Sequence, residues 1–198
     1  MNPSTLIDFW FGPGDDDAAT AARQAGLWWR KDPATDAEIR SRFESWLRAA
    51  EQGRLDDWCD SADGRLALIL LTDQLPRNMY RGRPDMFRFD ARARALCVEG
   101  LEAGVDRELR PIERVFFYLP LEHSEDADHQ AWCVDLMRSL ARDVRDEWRP
   151  VFEEFVGYAE AHHRIIDRFG RFPHRNAILG RRSTAAEIEF LEQPGSSF

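Results

Sequence analysis

The sequence predicts an all-α protein, and three observations carry that prediction. Apolar residues recur every three to four positions along most of the chain, and no stretch alternates apolar and polar residues with period two. Capping residues, prolines and glycines punctuate the apolar runs. The 198 residues are 43% hydrophobic and 12% aromatic, enough for a packed core and unlike a disordered segment. One domain over residues 1–198 is therefore expected, built from successive antiparallel helical hairpins, with a loose tail at 194–198.

Each helix has its own signal. From Asp36, read as an N-cap, Ile39, Phe43, Trp46, Leu47 and Ala50 hold one helical face, and Gly53 ends the run. Leu66 to Leu75 is apolar nearly all round, as a buried central helix would be, and Pro76 is expected to close it. Phe89 to Gly104 gives a third helix, with Ala93, Leu96, Cys97 and Leu101 as its stripe. Pro111 suits the first position of a short helix through Ile112, Val115, Phe116 and Leu119.

Ser124 reads as the cap of a long helix. Glu125, Asp126 and Asp128 fill its first turn, and Cys133, Met137, Leu140, Ala141 and Val144 form its stripe. A second long helix starts near Pro150 and carries Phe152, Phe155, Val156, Ala159 and Ile166. Thr184 and Glu187 form a capping box that opens a last short helix through Ile188 and Leu191. Residues 12–17 read as a turn, and the terminal Phe198 could dock back onto the body.

Charge narrows the function. A net charge of −9 argues against a DNA-binding protein or an anionic-membrane binder, because both need a broad positive field. No apolar run is long enough to span a bilayer, and Met1-Asn2-Pro3-Ser4 has no basic region that would begin a secretion signal. Cys59, Cys97 and Cys133 are odd in number and irregularly spaced, so a cytoplasmic protein with reduced thiols is expected. The seven tryptophans are spread along the chain, as core-packing residues would be.

Lys31 is the only lysine among 27 basic residues, which codon bias explains in general. Two arginine-rich segments nevertheless echo each other. Asp73 to Gly82 carries Pro76, Arg77, Asn78 and Arg81, and Arg171 to Arg181 carries Pro173, His174, Arg175, Asn176 and Arg181. One reading is a pocket where these arginines and asparagines hold a small phosphate or carboxylate. The other is local ion pairing that ties loops to helices, for which Asp73 and Arg77 have the right spacing. A weaker third is RNA contact by the strip from Arg164 to Arg182.

Between the two segments lies Glu122-His123-Ser124-Glu125, where a histidine flanked by carboxylates could serve acid–base chemistry or merely belong to a cap. No Gly-x-Ser-x-Gly elbow accompanies it, which disfavours a serine nucleophile. Asp126-x-x-His129 and Glu160-x-x-His163 have the spacing of di-iron bundle ligands. The further core glutamates such a site needs are not identifiable, so neither a metal nor another cofactor is expected.

The chain resembles the mostly bacterial family known as domain of unknown function 924. The resemblance rests on Asp8-Phe9-Trp10-Phe11-Gly12, Trp28-Trp29, Asp73-Gln74-Leu75-Pro76-Arg77-Asn78, Tyr118 through Glu125, and Arg168 through Arg181, and it covers essentially the whole chain. It implies a single helical domain similar to the tetratricopeptide-like superfamily, and no established activity. It marks as family positions Asp73, Gln74, Arg77, Asn78, Arg81, Glu122, His123, Ser124, Glu125, Gln130, His162, Arg168, Arg171, His174, Arg175, Asn176 and Arg181. His129 and His163 fall outside that pattern.

The expected site thus comprises His123, Glu122, Glu125 and His174 as acid–base candidates. Asp73, Arg77, Asn78, Arg81, His162, Arg171, Arg175, Asn176 and Arg181 are the candidates for holding a small anion. The competing expectation is a scaffold that binds a protein partner and uses the same arginines structurally.

Overall fold

A computed structural model describes residues 1–197, so the suggested docking of Phe198 lies outside the described residues. Asn2 starts the first helix, α1 (Pro3–Phe11): its side chain accepts the Ser4 amide, and Pro3 takes a first-turn position where no N–H is needed. Asp16 likewise caps α2 (Asp17–Trp29) by accepting from Ala19. Periodicity alone misses both helices, although both caps are visible in the sequence. The third helix, α3 (Pro33–Glu51), begins at Asp32 and not at Asp36. Asp32 accepts the Ala34 amide, and Asp36, one turn inside, is left for longer-range work.

The apolar run becomes a broken central rod. Helix α4 (Ala62–Ile69) passes into a π-helical turn over Leu70–Gln74 and resumes as α5 (Leu75–Met79). Pro76 therefore does not close the helix where expected. Its ring would collide with the carbonyl four residues back in an unbroken α-helix. The wider turn, with Leu75 N–H reaching Leu70 O, lets Pro76 sit in the first turn of the next segment. This rod is packed by α1, α3, α6 (Asp90–Glu102) and α7 (Pro111–Glu122). Gly100 permits the close crossing of α6 and α7, because a Cβ there would stand 2.5 Å from the Phe117 ring.

Helix α8 (Ala127–Asp143) is capped by Asp126, not Ser124; Asp126 accepts from the amides of Asp128 and His129. Its stripe packs on α9 (Arg149–Phe169), the most extensive helix pair in the molecule. One large core joins α1 through α9, and Trp10, Trp28, Trp58 and Trp148 are buried in it. A smaller apolar cluster of Ile165, Ile166 and Phe172, with Phe169 and Phe190 against it, anchors residues 170–184. The last helix, α10 (Ala185–Leu191), has both halves of its capping box: Thr184 accepts from Glu187 N–H, and Glu187 accepts from Thr184 N–H. The architecture is all-α, with no strand among the described residues. No helix among them is long and apolar enough to cross a membrane.

Candidate functional site

Three chain turns meet beside the central rod. The π turn carries Asp73, the C-terminal end of α7 carries Glu122 and His123, and the segment after α9 carries Phe172, His174 and Arg175. Gln130 of α8 fixes the second of these by donating to the carbonyls of Glu122 (2.5 Å) and Ser124 (2.7 Å).

Asp73 is fully buried, and both its oxygens lie against Nδ1 of His123, at 2.8 and 3.0 Å. With Asp73 ionised, Nδ1–H is the donor and Nε2 is the basic nitrogen, the arrangement that makes a carboxylate an orienting group for a histidine. Gln74 donates to Asp73 at 2.6 Å. Arg77, one turn on, approaches the same carboxylate at 3.6 Å, donates to the Asp73 carbonyl, and forks onto Asp90 at 3.0 and 3.3 Å. Arg175 also reaches Asp90, with Nη1 at 3.6 Å from Oδ2. The arginines that precede the asparagine in the two echoing segments, Arg77 and Arg175, therefore converge on one carboxylate, in the first turn of α6.

Arg175 differs from the other arginines of these segments. Its side chain is 8% exposed, and its guanidinium lies over the rings of Phe172 (4.4 Å) and Phe87 (4.8 Å). Its Nε has no hydrogen-bond partner among the described residues. Burial, then the neighbouring Arg77, pushes its pKa down to about 10, so it remains a cation at neutral pH.

The surrounding acids and bases are held in defined states. Burial favours neutral Asp73, yet Arg77 and the His123 and Gln74 hydrogen bonds outweigh that and keep the carboxyl well below its usual range. Burial, then the Asp73 charge, pushes Glu122 up to about 8, so it is largely protonated at pH 7. Burial and then Arg77 lower His123, against the pull of Asp73. Burial also takes His162 down to about 3 and His174 down to about 4, the latter with help from Arg175. His162 Nδ1 donates to the Tyr158 carbonyl at 2.9 Å and lies 3.4 Å from Glu122, and its ring is 6.3 Å from that of His123.

The remaining candidates are committed to internal pairs. Arg81 forks onto Asp36 through Nε (2.7 Å) and Nη2 (2.8 Å), and Asn78 donates to the same carboxylate. Arg171 forks onto Glu187 through the same two nitrogens, at 2.6 and 2.8 Å. Arg181 holds Glu125 at 2.6 and 2.9 Å, while its Nε donates to Asn176 Oδ1, and the Asn176 amide donates to Ser183. Glu125 also accepts the Phe172 amide; burial would raise it, but these bonds hold it below its usual range.

Sequence reasoning missed three partners. Asp36 read as a cap, Glu187 read only as half of a capping box, and Asp90 carried no signal beyond its charge. Of the di-iron pattern, Glu160 pairs with Arg138, Asp126 is the α8 cap, and His163 faces Asp167. A surface groove of about 290 Å³ lies elsewhere, between α3 and residues 80–89, and is lined by charge pairs such as Arg48 with Glu44 and Arg83 with Asp85.

The histidine–aspartate pair can accept and return a proton, the neutral glutamic acid can donate one, and the buried guanidinium can bind an anion. No curated protein matches the chain. A solved structure described as a protein of unknown function from Agrobacterium tumefaciens is similar, at 38% identity and a TM-score of 0.74, covering 89% of this chain and 99% of its own. Residues 6–195 match the family described as bacterial protein of unknown function (DUF924), and the chain belongs to that family.

Proposed function

We propose that the cluster around Asp73, His123 and Arg175 binds a small anionic molecule, a carboxylate or a phosphate, and presents it to His123. The convergence of Arg77 and Arg175 on Asp90, beside a histidine oriented by a buried carboxylate, carries this reading. Arg175 is the anchor in this proposal, and Arg77 holds Asp90 in place. His123 Nε2 is the base, and Glu122 and His174 are further acid–base groups. The three free cysteines, two of them buried, suit a reducing cytoplasm.

The test is a thermal-shift series at pH 7 with small carboxylates and phosphates, run beside Arg175→Lys. A ligand at about 100 times its Kd adds about 2.7 kcal/mol of stability, so a shift in the parent that Arg175→Lys loses while staying folded supports the site. Absence of any saturable shift in the parent counts against it.

A second reading has its own observation. Arg81, Arg171 and Arg181 are all engaged in forked pairs, as the scaffold alternative requires. On that reading the working surface is an exposed face such as that around Trp29 and Tyr158, and pull-down of a partner that survives Arg175→Lys but is lost on Trp29→Ala would favour it.

A further inference from the structure

Resting on the anion-site reading above, we propose that the ligand is a monoanionic carboxylate, bound in the plane of the Arg175 guanidinium along its Nε edge.

The protein supplies the template for this contact. Arg81 meets the Asp36 carboxylate side-on through Nε and Nη2, and Arg171 meets Glu187 the same way. Arg181 also commits its Nε, to Asn176. In Arg175 the equivalent Nε is buried and has no partner among the described residues; the Nε atoms of Arg65 and Arg92 share that state, but neither arginine belongs to the two echoing segments. A buried N–H without an acceptor carries the full desolvation cost of that group, which a ligand oxygen would relieve. The Phe87 and Phe172 rings lie against the guanidinium, which leaves its in-plane donors as the groups a ligand would have to meet. A planar carboxylate matches a planar fork with two parallel hydrogen bonds.

Charge selects the monoanion. Asp73, Asp90 and Glu125 are the carboxylates acting on Arg175, and Arg77, Arg175 and Arg181 balance them. Glu122, His123, His162 and His174 are the other titratable groups here, and they are held predominantly neutral at pH 7. The site therefore has no surplus positive charge to offset a phosphate dianion in a poorly solvated setting, whereas one added negative charge faces a guanidinium with unused donors.

The experiment is nitrogen-15 NMR of the arginine Nε–H signals at pH 7 and constant ionic strength, titrating sodium acetate and, separately, sodium methyl phosphate, a phosphate that is mainly a dianion at that pH. The Arg175 resonance is identified by its absence in Arg175→Lys. Its proximity to Phe172 ring protons identifies it independently, so the titration stands even if that variant does not fold. The expected result is a saturable shift with acetate and none with phosphate at the same concentration. In folded Arg175→Lys, acetate should bind about tenfold more weakly, because lysine keeps the charge and loses the fork. A shift with phosphate that equals or exceeds that with acetate overturns the carboxylate assignment and leaves the anion site standing. No shift with either ion overturns both.

Discussion

The two Pro-Arg-Asn segments share a sequence pattern and end in different physical states. In each, the last arginine forks onto a carboxylate from a distant element: Arg81 onto Asp36, Arg181 onto Glu125. In each, the asparagine takes part in that staple, and the arginine just before it, Arg77 or Arg175, turns inward to Asp90. There the likeness stops. Arg77 is satisfied by a fork onto Asp90 and by the Asp73 carbonyl. Arg175 makes one loose contact with Asp90, lies over two rings, and keeps a buried Nε without a partner among the described residues. The first segment is helical and continuous with the rod, so its arginine follows a fixed backbone. The second is a short 3₁₀ turn held by Phe172 in a small satellite cluster. A repeated motif therefore marks two staples and one unfilled donor, and the lesson is to count donors before assigning a ligand.

The largest effect is expected from removing the acid on which the first segment turns. Asp73→Ala leaves Arg77 and His123 facing an apolar void, and loss of one partner of a buried pair costs about 3–5 kcal/mol. Chemical denaturation measures this, and a loss below about 1 kcal/mol would show that the carboxylate does not organise the cluster.

Glu122 tests whether the ground between the segments is dry. Its folded pKa of about 8 exceeds the unfolded value of 4.5, so the folded state binds the extra proton between those values. Its contribution is complete below about pH 4.5 and is lost as pH rises through about 8. Glu122→Gln should therefore gain stability relative to the parent between pH 5 and 8, on the order of a few kcal/mol, measured as the difference of two urea titration series. His123, His162 and His174 act with the opposite sign, favouring the fold as pH rises toward 6.5, and His162 lies 3.4 Å from Glu122, so the difference is cleanest between pH 7 and 8, where these histidines are mainly neutral in both states.

The smallest effects compare the two inward arginines directly. Arg77→Lys breaks a fork and should cost about 2 kcal/mol. Arg175→Lys loses stacking but no close hydrogen bond and should cost about 1 kcal/mol or less. Equal costs would mean that Arg175 is as structural as Arg77, and the asymmetry between the segments would lose its functional meaning.

Much of the fold was legible because helices are local. Periodicity placed α6 through α9 to within a few residues, and Thr184 with Glu187 located the last helix. The errors at Asp36 and Ser124 share one cause: several residues near each helix start can cap, and which one does depends on where the chain enters. The Pro76 error has another cause, since a proline's clash can be absorbed by a π turn as well as by ending a helix. In the site, the ion pair of Asp73 with Arg77, one helical turn apart, was readable from spacing. His123 with Asp73 was not, because 50 residues separate them.

By itself the sequence determined the all-α class, the family, and the residue types concentrated in the two arginine segments and the Glu122–Glu125 stretch. These follow from interactions within one or two helical turns and from motifs read along the chain. Tertiary structure alone decided which arginines of the two segments are staples and which has a buried donor to spare. Asp36 meets Arg81 across 45 positions and Glu125 meets Arg181 across 56, and only packing of the rod against α3, and of α9 against α7 and α8, sets those distances. A guanidinium carries the same charge everywhere in the sequence, but its unused hydrogen bonds are determined by the carboxylates that the fold brings to it.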